Sequence, residues 1–427
     1  MALTKENYKR RLVDDKIEKY LKIFGAVLIE GPKWCGKTWS SLNHSESVTY
    51  LTDKNTKELA KIDPKYIFNE KTPELIDEWQ IVPQVWDAVR HACDSDTTPG
   101  KFILTGSTTL EKNEEENVYH TGTGRIAPIR MYPMSLYESG DSTGEVSIMD
   151  MYNGNVEGKH IDKVELDKVA DLIIRGGWPA NIEREKSELG IMPKVYIDSI
   201  IKKDIHERKD KKRDERKMQM LLKSLSRNES STASYDTIVK DIEIYENEEE
   251  LIESRQTVSD YINVLNDLFL IVNQASYDIN YRSSKRIGKS AKRHLVDPSL
   301  ACASLNLTRE KLLQDLNTFG FMFESLVERD LRIYMEYLDG ELYHFRDNTS
   351  GDEVDAILEF SNGEYAACEI KLSPDKIEEA KNNLLKFYNY VEKKPKFMCI
   401  IVGYYEAIVY DKENNIYILP ITALKPW

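Results

Sequence analysis

The sequence has no CxxC pair and an odd total of five cysteines, Cys35, Cys93, Cys302, Cys368 and Cys399, scattered over 427 residues. That usage excludes a disulfide framework and argues for reduced thiols. The seven histidines show no HxxxH or HxH spacing, which removes the usual zinc arrangements. No run reaches the roughly 18 apolar residues that a membrane helix needs. The richest, residues 397–410, is broken by Gly403 and Glu406 and reads as buried strands. The first fifteen residues hold no apolar signal core, so the expectation is a cytoplasmic chain with no membrane contact. Positive charge is in deficit: 59 Lys and Arg against 73 Asp and Glu leave a net charge of −14. A uniformly nucleic-acid-coated surface is thereby excluded, although a local basic patch is not.

What remains is the composition of a soluble globular protein, 41% apolar and 31% charged. At this length one hydrophobic core is not enough, so two to three domains are expected. No period of 20 to 50 residues stands out, which excludes a solenoid. Up to about residue 150, short apolar strands at 26–30, 47–51, 74–77 and 101–107 alternate with helical stretches. That order predicts βαβ units and a parallel sheet, an α/β class. Residues 138–160 are rich in Gly, Ser and acids and read as a loop or boundary. A block from 161 to 300 is mostly helical. The last block, 301–427, opens on an amphipathic helix over 320–338 and continues in alternating strands.

The stretch Gly31-Pro-Lys-Trp-Cys-Gly36-Lys37-Thr38 fits GxxxxGK followed by Ser or Thr at every fixed position. Such a loop wraps backbone N–H groups around phosphates. Lys37 then reaches the β- and γ-phosphates, and Thr38 offers a hydroxyl to Mg²⁺. The apolar strand before it and the helix-compatible residues after it supply the right context. About forty residues on, a short apolar run ends in Asp77-Glu78. Asp77 suits the magnesium shell and Glu78 the polarisation of an attacking water. In "FILTGST", Thr105 or Ser107 is a candidate sensor of the γ-phosphate. Gly122 and Gly124 precede Arg125, with Arg130 close behind, and a guanidinium there could neutralise charge on a neighbouring nucleotide. A finger acting in trans requires a homo-oligomer.

The motifs "GPKWCGKT", "LIDEWQ", "FILTGST", "HTGTGRIA", "RMYPMSLYESG" and "RGGWPA" occur in an order that resembles a bacterial and archaeal group of AAA-type ATPases. The resemblance runs on through "KSLSRNESS", "RHLVDPSLA", "FESLVERDLR" and "GDEVDAI", nearly the whole chain. It implies an AAA-like P-loop ATPase domain over 1–150, a helical, winged-helix-like domain over 161–300 and a restriction-endonuclease-like domain over 301–427. An acidic insertion at 111–117 departs from the pattern and bears on how Arg125 sits.

The C-terminal block carries chemistry of its own. Asp355 stands in one strand and Glu369-Ile-Lys371 in the next, and alternation puts Glu369 and Lys371 on one face. Asp355 and Glu369 are candidate Mg²⁺ ligands, Lys371 a candidate to position or activate water, and Glu324 a third ligand from the preceding helix. The same pattern also suits a solvated strand pair, or a nuclease-like fold used only for binding. In the middle block, three helices and a strand suit a helix-turn-helix variant with Thr257 capping the third helix. Asp260 and Asn263 make that helix a poor DNA reader. Residues 202–217 mix both signs and read as an exposed, salt-bridged helix. The run holding Arg282, Lys285, Arg286, Lys289, Lys292 and Arg293 is the candidate DNA contact, over 282–293. The expectation is therefore an ATP-binding and hydrolysing AAA-like protein, with ATP and Mg²⁺, whose nucleotide state gates a nuclease-like domain acting on DNA. The alternative is an ATP-driven switch that binds DNA or a protein partner without cleavage.

Overall fold

The computed structural model describes residues 8–69, 71–109, 122–204, 214–245, 255–278, 290–347 and 351–427. The acidic insertion at 111–117, most of the basic run at 282–289 and most of the mixed-charge stretch at 202–217 lie outside the described residues. The chain divides into two units. One runs to Pro133 and takes in Asp267–Phe269; the other comprises Met134–Asn266 and Leu270–Trp427. Among the described residues no helix is long and apolar enough to cross a membrane.

The first unit is built on five parallel strands, β1 (Ala26–Glu30), β2 (Ser47–Tyr50), β3 (Glu74–Asp77), β4 (Phe102–Gly106) and β5 (Ile126–Arg130). Their order is β2-β3-β4-β1-β5. The strands fall where the apolar runs place them. Parallel strands need crossovers, and these bury both sheet faces, so β1 reads as a continuous apolar run. Ala26 and Leu28 enter one core with Ala60 of α3 (Lys54–Ile62) and Val85 and Val89 of α4 (Gln84–Ser95). Val27 and Ile29 enter the other core, with Ile17 of α1 (Val13–Leu21). The helix α2 (Lys37–Asn43) follows β1 directly after the glycine-bounded loop.

The second unit holds a nine-stranded mixed sheet. Its strands are β7 (Lys159–His160), β8 (Ile271–Ser276), β9 (Lys292–Leu295), β10 (Glu341–Arg346), β11 (Glu353–Glu359), β12 (Tyr365–Lys371), β13 (Met398–Val402), β14 (Ala407–Asp411) and β15 (Ile416–Pro420). They lie in the order β7-β14-β15-β13-β12-β11-β10-β8-β9. The helix Ile377–Tyr390 links β12 to β13 and buries Leu384 and Phe387 against Ile357, Ala367 and Ile400.

Two boundaries differ from the sequence reading. Residues 138–160, read as a loop or boundary, contain short helical and edge-strand segments. Within them β6 (Val146–Ser147) pairs with β16 (Leu424–Lys425), and β7 pairs with β14 at the edge of the large sheet. These edge strands are two residues long, too short to signal themselves by alternation. The middle and last blocks also share a sheet, because β8 pairs with β9 on one side and β10 on the other. Helices do form at Glu215–Arg227, Tyr235–Tyr245 and Arg255–Asp267. Thr257 is the third residue of the last of these and not its cap, since the helix starts two residues earlier.

Several of the sequence motifs meet at one buried hub in this unit. The Arg329 guanidinium, 3% exposed, donates to Asp297 at 2.8 Å and to Asp330 at 2.7 and 2.9 Å. Asp297 also accepts from the Gly177 N–H at 2.9 Å and the Ser299 hydroxyl at 2.6 Å. Asp330 accepts from the Leu136 N–H at 2.9 Å, and the Trp178 indole donates to Ser299 at 2.9 Å. "RGGWPA", "VDPSLA", "MSLYE" and "ERDLR" are thus pieces of one ion-pair lock. Removing one partner from such a buried pair costs about 3–5 kcal/mol.

Candidate functional site

The glycine-bounded loop leaves the C-terminal end of β1. A Cβ on Gly31 would lie 2.1 Å from the Met131 carbonyl oxygen, so only glycine lets the loop pass β5 this closely. Gly36 has φ of 106°, a left-handed turn that starts α2. Lys37 is buried, and its ammonium donates to the carbonyl oxygens of Gly31 at 3.0 Å and Pro32 at 2.9 Å. It is therefore held inside the cradle that the motif defines.

Parallel register brings the next residues together. β3 and β4 run side by side with Ile76 opposite Leu104, so Asp77 and Thr105 follow as neighbours at the strand ends. The hydroxyl of Thr105 donates to Asp77 Oδ1 at 2.7 Å, and that of Thr38 to the same oxygen at 2.9 Å. Thr105 in turn accepts the Glu78 N–H at 3.0 Å. Ser107 donates to Glu78 Oε2 at 2.9 Å, and the Gln80 amide donates to the same oxygen. Glu78 itself has φ of 57°, an uncommon backbone for a residue with a Cβ. Burial raises the Asp77 carboxyl above its ordinary value, against the lowering effect of the Thr105 and Thr38 hydroxyls. A carboxylate penalised by burial and set 2.9 Å from a threonine hydroxyl is a donor pair that fits Mg²⁺.

The two arginines part company. Arg125 precedes β5, and its carbonyl accepts the N–H of Ala26 at the start of β1. The loop begins after Glu30, which is opposite Arg130. Arg125 is therefore at the far end of the strands from Gly31, about 20 Å along them. It is half exposed, and its Nε donates to Asp94 of α4 at 2.7 Å. Arg130 is at the loop end, with its guanidinium 3.9 Å from the ring centroid of Phe269. Burial raises the Glu30 carboxyl, and the charge of Arg130 lowers it in part.

Sequence reasoning missed a clamp behind the loop. The buried Arg11 donates to the Cys35 carbonyl at 2.9 Å and the Tyr132 carbonyl at 3.0 Å. Asp14, fully buried, accepts from the Arg11 N–H at 2.7 Å and the Tyr8 hydroxyl at 2.8 Å, and faces His44 Nε2 at 3.1 Å. These residues fit no spacing motif, so no local signal marks them.

In the second unit, Glu324, Asp355, Glu369 and Lys371 do meet. Lys371 Nζ is 2.6 Å from Glu369 Oε2 and 3.3 Å from Asp355 Oδ2, and the Ile370 N–H donates to that same Asp355 oxygen at 2.8 Å. The cluster also contains a residue that sequence reasoning assigned elsewhere. Lys292, expected on a DNA-facing basic run, is 3% exposed. Its Nζ is 2.7 Å from Glu353, 2.9 Å from Glu324 and 3.8 Å from Asp355. Arg293 turns back as well, donating to the Ala233 carbonyl at 3.2 Å and lying 5.4 Å from the Tyr235 ring centroid. Burial pushes Glu324 up to about 7, against the opposing charge of Lys292. Burial, then the charge of Asp355, pushes Glu369 up to about 8. Burial would raise Asp355 too, but the charges of Lys371 and Lys292 outweigh it and hold the carboxyl low. The set does not fit a resident Mg²⁺, because an ammonium group already sits where the carboxylates converge. Among the described residues no group of three or more His, Cys, Asp or Glu is placed to hold a metal ion.

Residues 24–140 match a family model described as an AAA domain. Residues 166–311 and 319–424 match two domains of unknown function, DUF8612 and DUF4143. No curated protein gives a significant match to the chain. Among solved structures the chain is similar to a Walker-type ATPase of Pyrococcus abyssi, PABY2304, at 14% identity and a TM-score of 0.41, covering 71% of this chain and 100% of that one. It is also similar to the Aeropyrum pernix ORC2 protein at 10% identity and a TM-score of 0.32, covering 73% and 97% of the two chains. A third likeness is to the Aeropyrum pernix ORC1 protein, solved in complex with DNA, at 12% identity and a TM-score of 0.26, covering 71% and 94%. The AAA-domain match over residues 24–140 supports ATP binding and hydrolysis in that stretch of the chain.

Proposed function

We propose that this chain binds and hydrolyses ATP in its first unit and acts as an ATP-driven switch toward DNA or a protein partner. One observation carries the reading. Thr38 and Thr105 direct their hydroxyls at the same oxygen of Asp77, beside the buried Lys37 and with Glu78 next in the chain. In this reading Gly31, Gly36 and Lys37 hold the phosphates, and Thr38 and Asp77 hold Mg²⁺. The bound ion supplies positive charge to the phosphate oxygens. Glu78 polarises the attacking water, and Ser107 and Gln80 fix the direction of its carboxylate.

A covalent route exists for a nucleotide-dependent shift to leave this unit. Asp267–Phe269 belongs to it, held by Thr109 through hydrogen bonds of 3.0 and 3.1 Å to Asp267 and by Arg130 over Phe269. The chain runs from there into β8. The expectation of a gated nuclease rests on Asp355, Glu369 and Lys371 sharing one cluster, and Lys292 in their midst weighs against it. The test is steady-state ATP hydrolysis by wild type and Lys37→Ala. The expected result is loss of turnover to background, and an unchanged rate contradicts the proposal.

A further inference from the structure

Four helices of the second unit, Glu215–Arg227, Tyr235–Tyr245, Pro298–Ser304 and Leu316–Tyr337, line a cavity of about 360 Å³. That volume falls within the roughly 300–1,000 Å³ of small-molecule sites. Met220, Ile242 and Met322, all buried, give it an apolar wall, joined by Phe321, which is 43% exposed. The charged residues of the lining are Lys223, Arg227 and Asp241. Lys223 and Arg227 are four residues apart on one helix, so they share a face. Arg227 is already engaged. Its guanidinium donates to Asp241, which also accepts from the Ser224 hydroxyl at 3.0 Å and the Asn228 amide at 2.6 Å. Asp241 thus cancels one of the two positive charges, and Lys223 is left over. Among the described residues its ammonium group has neither an ion-pair nor a hydrogen-bond partner.

Ser304 is a second, independent observation. It is 7% exposed and lines the cavity, and among the described residues its hydroxyl has no hydrogen-bond partner. Other hydroxyls of the lining are taken up within the fold. Ser226 donates to the Leu222 carbonyl at 2.7 Å, and Thr318 to Asp315 at 2.6 Å. Buried hydroxyls have a partner in nearly all native proteins, so the partner of Ser304 comes from within the cavity. We propose that this cavity binds a small organic anion with an apolar body. Lys223 and Arg227 meet its charged head group, Ser304 hydrogen-bonds to it, and Met220, Ile242, Met322 and Phe321 pack on the body. A single negative charge balances the wall, whereas a polyanion is repelled by Asp241.

The inference concerns the second unit alone, and its test does not read ATP turnover. The probe is 1-anilinonaphthalene-8-sulfonate, an aromatic monoanion, titrated against the full chain by fluorescence. N-phenyl-1-naphthylamine, the same body without the charge, is titrated in parallel. Wild type is expected to bind one sulfonate probe per chain, with or without excess ATP. Lys223→Met removes the charge and keeps the stem. Its affinity for the sulfonate should fall by at least about fivefold, with affinity for the neutral probe changed by less than about twofold. Ser304→Leu fills the cavity and should abolish binding of both probes. The melting temperature of each variant is measured to establish that it is folded. The absence of a saturable site in wild type overturns the proposal. So does a site that ATP displaces, or one that is unchanged in Lys223→Met. If Ser304→Leu does not fold, the two probes on wild type and Lys223→Met decide on their own.

Discussion

Thr105 donates to Asp77 Oδ1 at 2.7 Å while accepting the Glu78 N–H at 3.0 Å, so one hydroxyl fixes both acidic residues of the site. Its place is set by register, at the end of the strand between β1 and β3. Thr105→Val keeps the shape of the side chain and removes both hydrogen bonds. The expected outcome is a fall in ATP turnover of about tenfold or more with nucleotide affinity changed much less, read as kcat against KM. Equal loss of affinity and turnover would place Thr105 in nucleotide binding instead.

Arg125 and the phosphate loop lie at opposite ends of the same parallel strands. Arg125→Ala should therefore leave hydrolysis within about twofold of wild type in dilute protein, where only the chain's own residues act. A defect that appears as protein concentration rises would mark a finger acting in trans on another copy. A loss that does not depend on concentration would contradict the placement of Arg125 away from its own nucleotide.

Asp141 provides a pH signature in the second unit. Burial would raise its carboxyl, but the hydrogen bond and charge of Arg175, with Lys168 and Ser139, hold it below the ordinary 3.8. The Arg175 and Lys168 contacts are 2.7 and 2.8 Å. A depressed carboxylate binds fewer protons in the folded state, so its contribution is present above the unfolded value and lost as pH falls through the folded one. Wild type should exceed Asp141→Asn in stability by its full margin at pH 7. That margin should shrink below about pH 4, followed by urea unfolding of this unit. The same margin at pH 3 would show that the pair is not held by charge.

The meeting of Thr38, Asp77 and Thr105 beside the glycine-bounded loop was legible in the sequence because its parts are local. A fixed-spacing loop, an apolar strand before it and two apolar runs ending in polar residues needed no tertiary information. Asp77 and Ser107 sit at the strand ends where those runs put them, with Thr105 alongside, and Thr38 is in the first turn of α2 after the loop. Arg125 and Arg130 were not separable, because which end of β5 faces the loop depends on pairing register. Lys292 was misassigned for a similar reason: its partners come from β11 and a distant helix, and in the sequence it looks like one more residue of a basic run. The motifs around Gly177, Asp297 and Arg329 carried the family resemblance without an assigned role. The hub shows that their shared task is packing a buried ion pair, a role that spacing alone does not reveal.

The measurement that tests the central claim most directly is ATP binding and turnover measured side by side in Glu78→Gln. The substitution keeps the size of the side chain and leaves Lys37, Thr38 and Asp77 in place. The account predicts ATP affinity close to wild type, with turnover reduced by at least about a hundredfold. Wild-type turnover in this variant, or loss of binding together with turnover, would contradict the role of Glu78 as the residue that polarises water.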